Sequence, residues 1–571
     1  MASSHRARII GTRHMVAAGH YLAAQSALQI LEAGGNAVDA AVSGGIALGI
    51  LQSEYVGFGG VAPMMIHMAD RNETVTISGL GHWPRAASLD VFTNEYGGVM
   101  PKGLLRTVVP AAPDAWITAL ERYGTMSYGD VAAAALRYAA EGFAAPSLMC
   151  AIIDKAQADY RLWDANAAIY LPGGKPPAPG DLFVQSDLAG VIAHMIDEEK
   201  AAAGRGRAAG LSAARNAFYR GDIARTMVDY HIANDGWLRS EDLAGFSVDV
   251  EKARVLEVGG TELCYCGAWC QGPLLAETLA MLDGVDLTTL GGHNAPGYIH
   301  YLTEVLKLGY ADRHHYFGDP KFVDVPLDTL TSADYARSRR GAIDPARAFD
   351  GMPPPGRIPG FQPASVQKGG EDDFAGQLDT SYIAVVDRHG NAVSATPSDG
   401  SAAAPVIPGL GFVPSSRGSQ SWTDPKLPSV MGPGRRPRLT PSPAIIRRQG
   451  EWIMPIGSPG NDVQPQAMLQ VFLNMTLWGM TPQTAIDQPR FATFSYPRSS
   501  SPHSYDPGMM NLEADIGDET ADALRGLGHD VRIWPEWEYQ AGGVCTVRAD
   551  MQTGMMEGGS DPRRPTGVAT I

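Results

Sequence analysis

Asp379-Thr-Ser-Tyr-Ile-Ala-Val-Val-Asp-Arg-His-Gly-Asn-Ala-Val-Ser-Ala-Thr396 is the stretch on which the reading of this chain turns. Before it, residues 351–379 run GMPPPGRIPGFQPASVQKGGEDDFAGQLD, rich in Pro, Gly and charge and without apolar periodicity. That composition predicts a long mobile surface connection. At Thr380 the texture flips to a β-prone run that ends at Asp387. A four-residue turn, Arg388-His-Gly-Asn391, leads into a second strand, Ala392–Thr396. A hairpin with Asp387 opposite Ala392 carries Thr380 to the neighbourhood of Ser398 and Asp399, to within one residue or a bulge.

That placement suits one kind of chemistry. A threonine hydroxyl is a poor nucleophile until a base removes its proton, and the α-amine of an N-terminal threonine is such a base in the same residue. The amine has an unperturbed pKa of about 7.7–8.0, so a modest lowering by burial leaves it mostly neutral at physiological pH. The chemistry needs no histidine, but it needs a cut directly before Thr380. The hydroxyl would attack the preceding carbonyl, the amide would become an ester, and water would finish the cut. On local texture alone the simpler account, a threonine that opens a strand after a loop, stands ahead of this one.

Working outward, Tyr21, Ala24, Ala27, Leu28 and Leu31 predict a helix over 21–32. Gly34 and Gly35 end it, and Asn36 is placed to cap a second helix over 37–51. Gly57-Phe-Gly-Gly60 precedes a strand at Met64–Met68. No Lys-Ser/Thr follows those glycines, so they are no phosphate loop; they predict close backbone approach to a ligand or another strand. Residues 107–345 read as scaffold, with helices at 114–122, 128–141 and 273–282. His314 and His315 are adjacent, so their side chains diverge, which favours structural roles over a metal pair.

The 571 residues, 44% hydrophobic with 66 glycines, can bury a large core and make many tight turns. A net charge of −16 with no long basic run argues against nucleic acid. The five cysteines, Cys150, Cys264, Cys266, Cys270 and Cys545, are odd in number, and C-x-C-x3-C lacks a second metal-binding pair. They read as buried or free thiols. The apolar stretch 37–51 is too short to span a bilayer, and no signal-like apolar run is evident near the start. The expectation is a cytoplasmic protein away from membranes.

The stretch around Thr380 resembles the cleavage site of the γ-glutamyltranspeptidase family, self-processing N-terminal-nucleophile enzymes. Other segments resemble family signatures in the same order: Gly34-Gly-Asn-Ala-Val-Asp-Ala-Ala41, Gly57-Phe-Gly-Gly60, Pro433-Gly-Arg-Arg-Pro437, Gly457-Ser-Pro-Gly460 and Gly558-Gly-Ser-Asp-Pro-Arg-Arg564. The resemblance implies an α+β fold, a four-layer αββα sandwich. It implies a large fragment, 1–379, and a small one, 380–571, forming one body, with Thr380 the nucleophile both of its own release and of catalysis. Thr396 and Ser398 would polarise it, and Gly460 and Asn461 would form the oxyanion hole with backbone N–H groups. No metal or organic cofactor is implied. The partners would be a small amide, a water or amine acceptor, and the sister fragment; a dimer of such pairs is left open.

The departures from the family concern substrate. The segment expected to carry a carboxylate-binding arginine reads Ser78-Gly-Leu-Gly-His-Trp-Pro84, and the segment expected to carry an acid reads Pro414-Ser-Ser-Arg-Gly-Ser-Gln-Ser-Trp422. A serine pair is replaced by Thr440-Pro441, and an asparagine by Gly400. Arg417 thus stands where an anion was expected, and Arg binds carboxylates bidentately. The expectation is an acyl donor with a carboxylate and no α-amine, a dicarboxylic acid monoamide, with Arg417, His82, Trp83, Trp422 and Ser381 lining its pocket. A true γ-glutamyl enzyme and a non-catalytic metabolite-binding scaffold are the competing readings.

Overall fold

The computed structural model describes residues 5–361 and 380–571. The expected hairpin forms from Ile383–Val386 and Ala392–Ala395, with Val386 rather than Asp387 opposite Ala392. The one-residue correction has a local cause. Asp387 is drawn out of the ladder to close the turn, its carboxylate accepting from the N–H groups of His389 and Asn391 and from Asn391 Nδ2. The resulting register sets Thr380 level with Ser398, continued by Ser381 N–H donating to Pro397 O at 2.9 Å.

The hairpin lies inside a seven-stranded antiparallel sheet, ordered 567–570, 15–18, 383–386, 392–395, 64–68, 73–77 and 250–252. A second seven-stranded antiparallel sheet runs 9–11, 556–560, 545–550, 452–457, 444–448, 261–265 and 254–258. Three apolar cores separate four layers. Ile383, Val385 and Val393 pack under Val38, Ile46 and Leu120 of one helical layer. Tyr382, Ala384 and Ala392 meet Ile445, Ile453 and Val547 between the sheets. Ile446 and Met454 pack under Leu274, Leu302 and Leu469 of the other helical layer. Period-two alternation along each strand feeds adjacent cores, and the product is the αββα sandwich.

The helices Tyr21–Glu32 and Ala37–Leu51 form as the pattern predicts. Of the two glycines between them only Gly34 takes a positive φ, 99°. Asn36 and Asp39 build a reciprocal capping box. Buried Asp39 also accepts from Thr125 and Met126 N–H, and Ala37 N–H donates to Asp387. The helix N-terminus is thereby fastened to the hairpin turn. Residues 351–361 are docked, unlike the loose connection the composition suggested: Met352 N–H reaches Tyr505 Oη, Gly356 N–H reaches Asp312 Oδ1, and Ile358 is buried. The rest of that segment, 362–379, lies outside the described residues. Among the described residues no helix is long and apolar enough to cross a membrane.

Candidate active site

Even-numbered positions of the Ile383–Val386 strand face the second sheet, so Thr380, in step with Tyr382, turns towards the space between the sheets. Thr380 is 1% exposed. Its Oγ1 lies 2.6 Å from Ser398 Oγ, and its backbone nitrogen donates to Tyr55 O at 3.2 Å. Ser398 is held by Val61, with which it exchanges both backbone hydrogen bonds. The adjoining glycine loop makes room for this. A Cβ on Gly60 would lie 2.3 Å from Ser398 O and 2.7 Å from Asp399 Cβ. The loop is therefore a close strand approach, one of the two expectations from sequence.

Arg417 enters from a short 3-10 turn, Arg417–Gln420, and donates through Nη2 to Ser398 Oγ. It is 2% exposed, and Nε stands 3.9 Å from Asp399 Oδ2. Asp399 accepts from Ser415 Oγ at 2.5 Å, from Ser416 Oγ at 2.7 Å and from Ser416 N–H. An anion thus does sit beside Arg417, contrary to the sequence reading, but it arrives from the segment that follows Ser398. Two main-chain conformations here are costly. Thr380 has φ 117° and Asp399 φ 120°, a region where L-residues, β-branched ones above all, are strained.

The other expected site residues divide. The turn 457–461 leaves the second sheet against Tyr382, since a Cβ on Gly457 would meet that ring at 2.1 Å. Gly460 and Asn461 have φ 118° and 49°, and asparagine is the residue that best tolerates this region after glycine. Thr396 is buried, but its hydroxyl makes no hydrogen bond among the described residues, and its N–H goes to Pro63 O. Two positions before Ser398, it pairs level with Tyr382, so the hydroxyl bonded to Thr380 is Ser398 alone of the two. Ser381 alternates to the opposite face, with its Oγ buried against Gly19 and without a hydrogen-bond partner among the described residues.

Trp83 and Trp422, expected to line the pocket, are buried packing residues. Trp83 is fully buried against Phe92 and Trp237 and donates from Nε1 to Ser421 Oγ at 2.9 Å. Its ring backs Gly418, where a Cβ would come within 2.5 Å of it, so Trp83 seats the turn that delivers Arg417. Trp422 stacks on His503 at 3.7 Å and meets His314 edge-on. His82 donates from Nδ1 to Trp83 O at 3.1 Å and packs on Phe246.

Sequence reasoning named Asp399 as a neighbour of Thr380 without giving it a role, and missed Gln420 and Arg106. Gln420 exchanges two bonds with Thr440, whose hydroxyl donates to Asn461 Oδ1 at 3.3 Å. Arg106 lies under Gly418 and donates to the carbonyls of Met100 and Pro101. Burial lowers its pKa to about 10, partly offset by Asp399. Among the described residues one group, His300, Glu304 and His529, is compact enough for a metal. Most of its atoms are engaged with one another and with protein: His300 Nδ1 lies 2.8 Å from His529 Nε2, His300 Nε2 donates to Asp344 O, and Glu304 is paired with Lys307 and Phe349 N–H, while His529 Nδ1 has no hydrogen-bond partner among the described residues.

Residues 23–571 match the γ-glutamyltranspeptidase family model. The chain belongs to the γ-glutamyltranspeptidase family. It is therefore a self-processing amide hydrolase or acyltransferase of the N-terminal-nucleophile kind. The glutathione hydrolase-like YwrD proenzyme of Bacillus subtilis (strain 168) is 28% identical over 561 residues, 97% of this chain and 98% of that protein. The acylase ACY 1 proenzyme of Pseudomonas sp. (strain SE83) is 31% identical over 552 residues, 94% and 90% of the two chains. Among solved structures, LmbA2991HD aligns over all of both chains with TM-score 0.92 and 34% identity. Cephalosporin acylase from Bacillus halodurans aligns over 100% of this chain and 98% of its own, with TM-score 0.84 and 25% identity.

Proposed function

We propose that a cut after Asp379 frees Thr380, and that Thr380 then forms an acyl-enzyme with a small amide bearing a carboxylate on its acyl part. The observation that carries this is the buried line Arg417–Ser398–Thr380. Ser398 accepts from the guanidinium and can point its own proton at Thr380 Oγ1, which carries partial negative charge as its proton leaves to the amine and again when it departs from the acyl-enzyme; a charged donor behind Ser398 strengthens that bond. The α-amine of Thr380 takes the hydroxyl proton. The N–H groups of Gly460 and Asn461 receive the oxyanion of the tetrahedral intermediate.

The strain at Thr380 favours the cut, because a free N-terminus has no φ to hold; such strain is worth about 1–3 kcal/mol. The carboxylate preference rests on Arg417 and on Asp399 being occupied by Ser415 and Ser416. The relatives carry both acylase and glutathione hydrolase names, which fits an amide donor of either kind. The test joins two measurements. N-terminal sequencing of the small fragment should begin Thr-Ser-Tyr, and glutaryl-p-nitroanilide should be cleaved faster than γ-glutamyl-p-nitroanilide. Asp399 supports a second reading: a carboxylate 3.9 Å from Arg417 is what an α-amino acid head group would need. The γ-glutamyl anilide being the better substrate would establish that reading instead.

A further inference from the structure

Asn461 occupies a conformation with a downhill escape. A crankshaft rotation of the Gly460–Asn461 peptide moves φ of Asn461 from 49° into the extended region and relieves about 1 kcal/mol or more of strain. The same rotation reverses the Asn461 N–H, which is anti to the Gly460 carbonyl across the planar peptide. The turn is held against it from behind. Val463 N–H donates to Gly460 O at 2.8 Å. Gln271 Nε2 donates to both Asn461 O and Thr440 O at 2.8 Å. Tyr310 Oη donates to Asp462 O. Three consecutive carbonyls, 460 to 462, are therefore pinned: Val463 N–H holds the rotating peptide itself, and Gln271 and Tyr310 hold the two peptides after it, which keep Val463 N–H in reach.

Gln271 is itself oriented. Its Oε1 accepts from Arg313 Nη1 at 2.8 Å, which fixes which end of the amide faces the turn. Arg313 also donates to Asp462 Oδ1, and its guanidinium lies over the stacked rings of Tyr310 and Tyr496. Gln271 and Arg313 are 1% exposed, and both come from the segment before Thr380, whereas the turn comes from the segment after it.

We infer that Gln271 and Arg313 are positioning residues, which act through the main chain of residues 460–462 to keep the oxyanion donors aimed. The inference rests on the reading of Thr380 and the 460–461 turn given above. Neither residue is asked to touch substrate. Because they form one unit, their removal should not be additive.

The test uses the processed full-length protein with whichever p-nitroanilide it cleaves, rates being expressed per active site titrated by covalent labelling. Gln271→Met keeps the volume and removes the three bonds; Arg313→Lys keeps the charge opposite Asp462 and loses the hold on Gln271. Losing one oxyanion donor outright costs roughly 10²–10³ in kcat, and a donor free to turn away should cost at least about 10-fold. Both variants should show that fall with KM within twofold of wild type, and the double variant should be no slower than the worse single one. Wild-type kcat per titrated site in Gln271→Met, or a loss confined to titratable sites and Tm, overturns the inference. Thr380→Ala is measured alongside: full activity there sinks the underlying reading, whereas an inactive Thr380→Ala beside an unaffected Gln271→Met sinks this inference alone.

Discussion

Replacing Arg417 by Met tests what the buried guanidinium recognises. The side chain is 2% exposed, reaches Ser398 and stands 3.9 Å from Asp399, so a donor carboxylate brought to it would meet a desolvated cation. A hydrogen bond to a charged group contributes about 1.5–3 kcal/mol, which at 1.36 kcal/mol per decade is about 10- to 160-fold. The substitution also removes the support of Ser398, so kcat falls for every substrate, and a single rate cannot separate the two effects. The ratio of kcat/KM for glutaryl-p-nitroanilide to that for pentanoyl-p-nitroanilide does separate them. The acyl chains match in length and differ at the terminal carboxylate, so damage at the nucleophile cancels. That ratio should fall about 10- to 160-fold in Arg417→Met. An unchanged ratio, with both rates lowered equally, would confine Arg417 to supporting Ser398 and refute the carboxylate assignment.

Thr380→Ala should run as one band near 60.6 kDa on a denaturing gel, whereas wild type should give fragments 1–379 and 380–571. Ser398→Ala should process more slowly and lose about 10-fold or more in kcat, by analogy with a lost transition-state donor, checked on active-site-titrated enzyme. Buried Glu54, its Oε2 without a hydrogen-bond partner among the described residues, has its carboxyl pushed up to about 8 by burial. Between its ordinary value near 4.5 and about 8 the folded state holds a proton that the unfolded chain lacks, so stability falls by about 1.4 kcal/mol per pH unit over that window. Glu54→Gln should therefore raise Tm most at pH 8 and above, with the gain fading towards pH 5; a pH-independent change in Tm would contradict the assignment. Asp39→Ala removes the carboxylate shared by Asn36, Thr125 and Met126 and should cost about 3 kcal/mol in urea unfolding of the Thr380→Ala proenzyme.

The parts of the site that were legible in sequence are those set by short-range periodicity. Thr380 and Ser398 are 18 residues apart across one hairpin, so strand alternation and turn length nearly suffice to bring them together. The error of one residue came from Asp387, whose side chain competes with the ladder for its own backbone. Arg417 was visible as a cation in the wrong place, yet its burial was not, because the connection 400–416 has no period from which a facing side could be read. Trp83 misled for the same reason: in an irregular segment a large aromatic reads equally as pocket wall or as core, and Phe92 and Trp237 decide it. Gln271 and Arg313 were out of reach altogether. Their bonds to Asn461 and Asp462 span 190 and 149 residues, and a buried polar residue declares its function only through its partner.

The order of strands gives the reason why a chain cut before Thr380 can remain one body. In the first sheet Met15–Ala18 is flanked by Gly567–Thr570 and Ile383–Val386, so a strand from before the cut lies between two from after it. On the hairpin's other side Ala392–Ala395 pairs with Met64–Met68. In the second sheet strands 9–11 and 261–265 close both flanks of a block built from residues 444–560. Every such boundary is an antiparallel ladder between apolar cores, and none of its hydrogen bonds runs through the peptide that joins 379 to 380. Hydrolysis there would remove a covalent link and the strain at Thr380 while leaving the ladders intact, so the new amine would appear beside the Ser398 hydroxyl and the Arg417 guanidinium already in position.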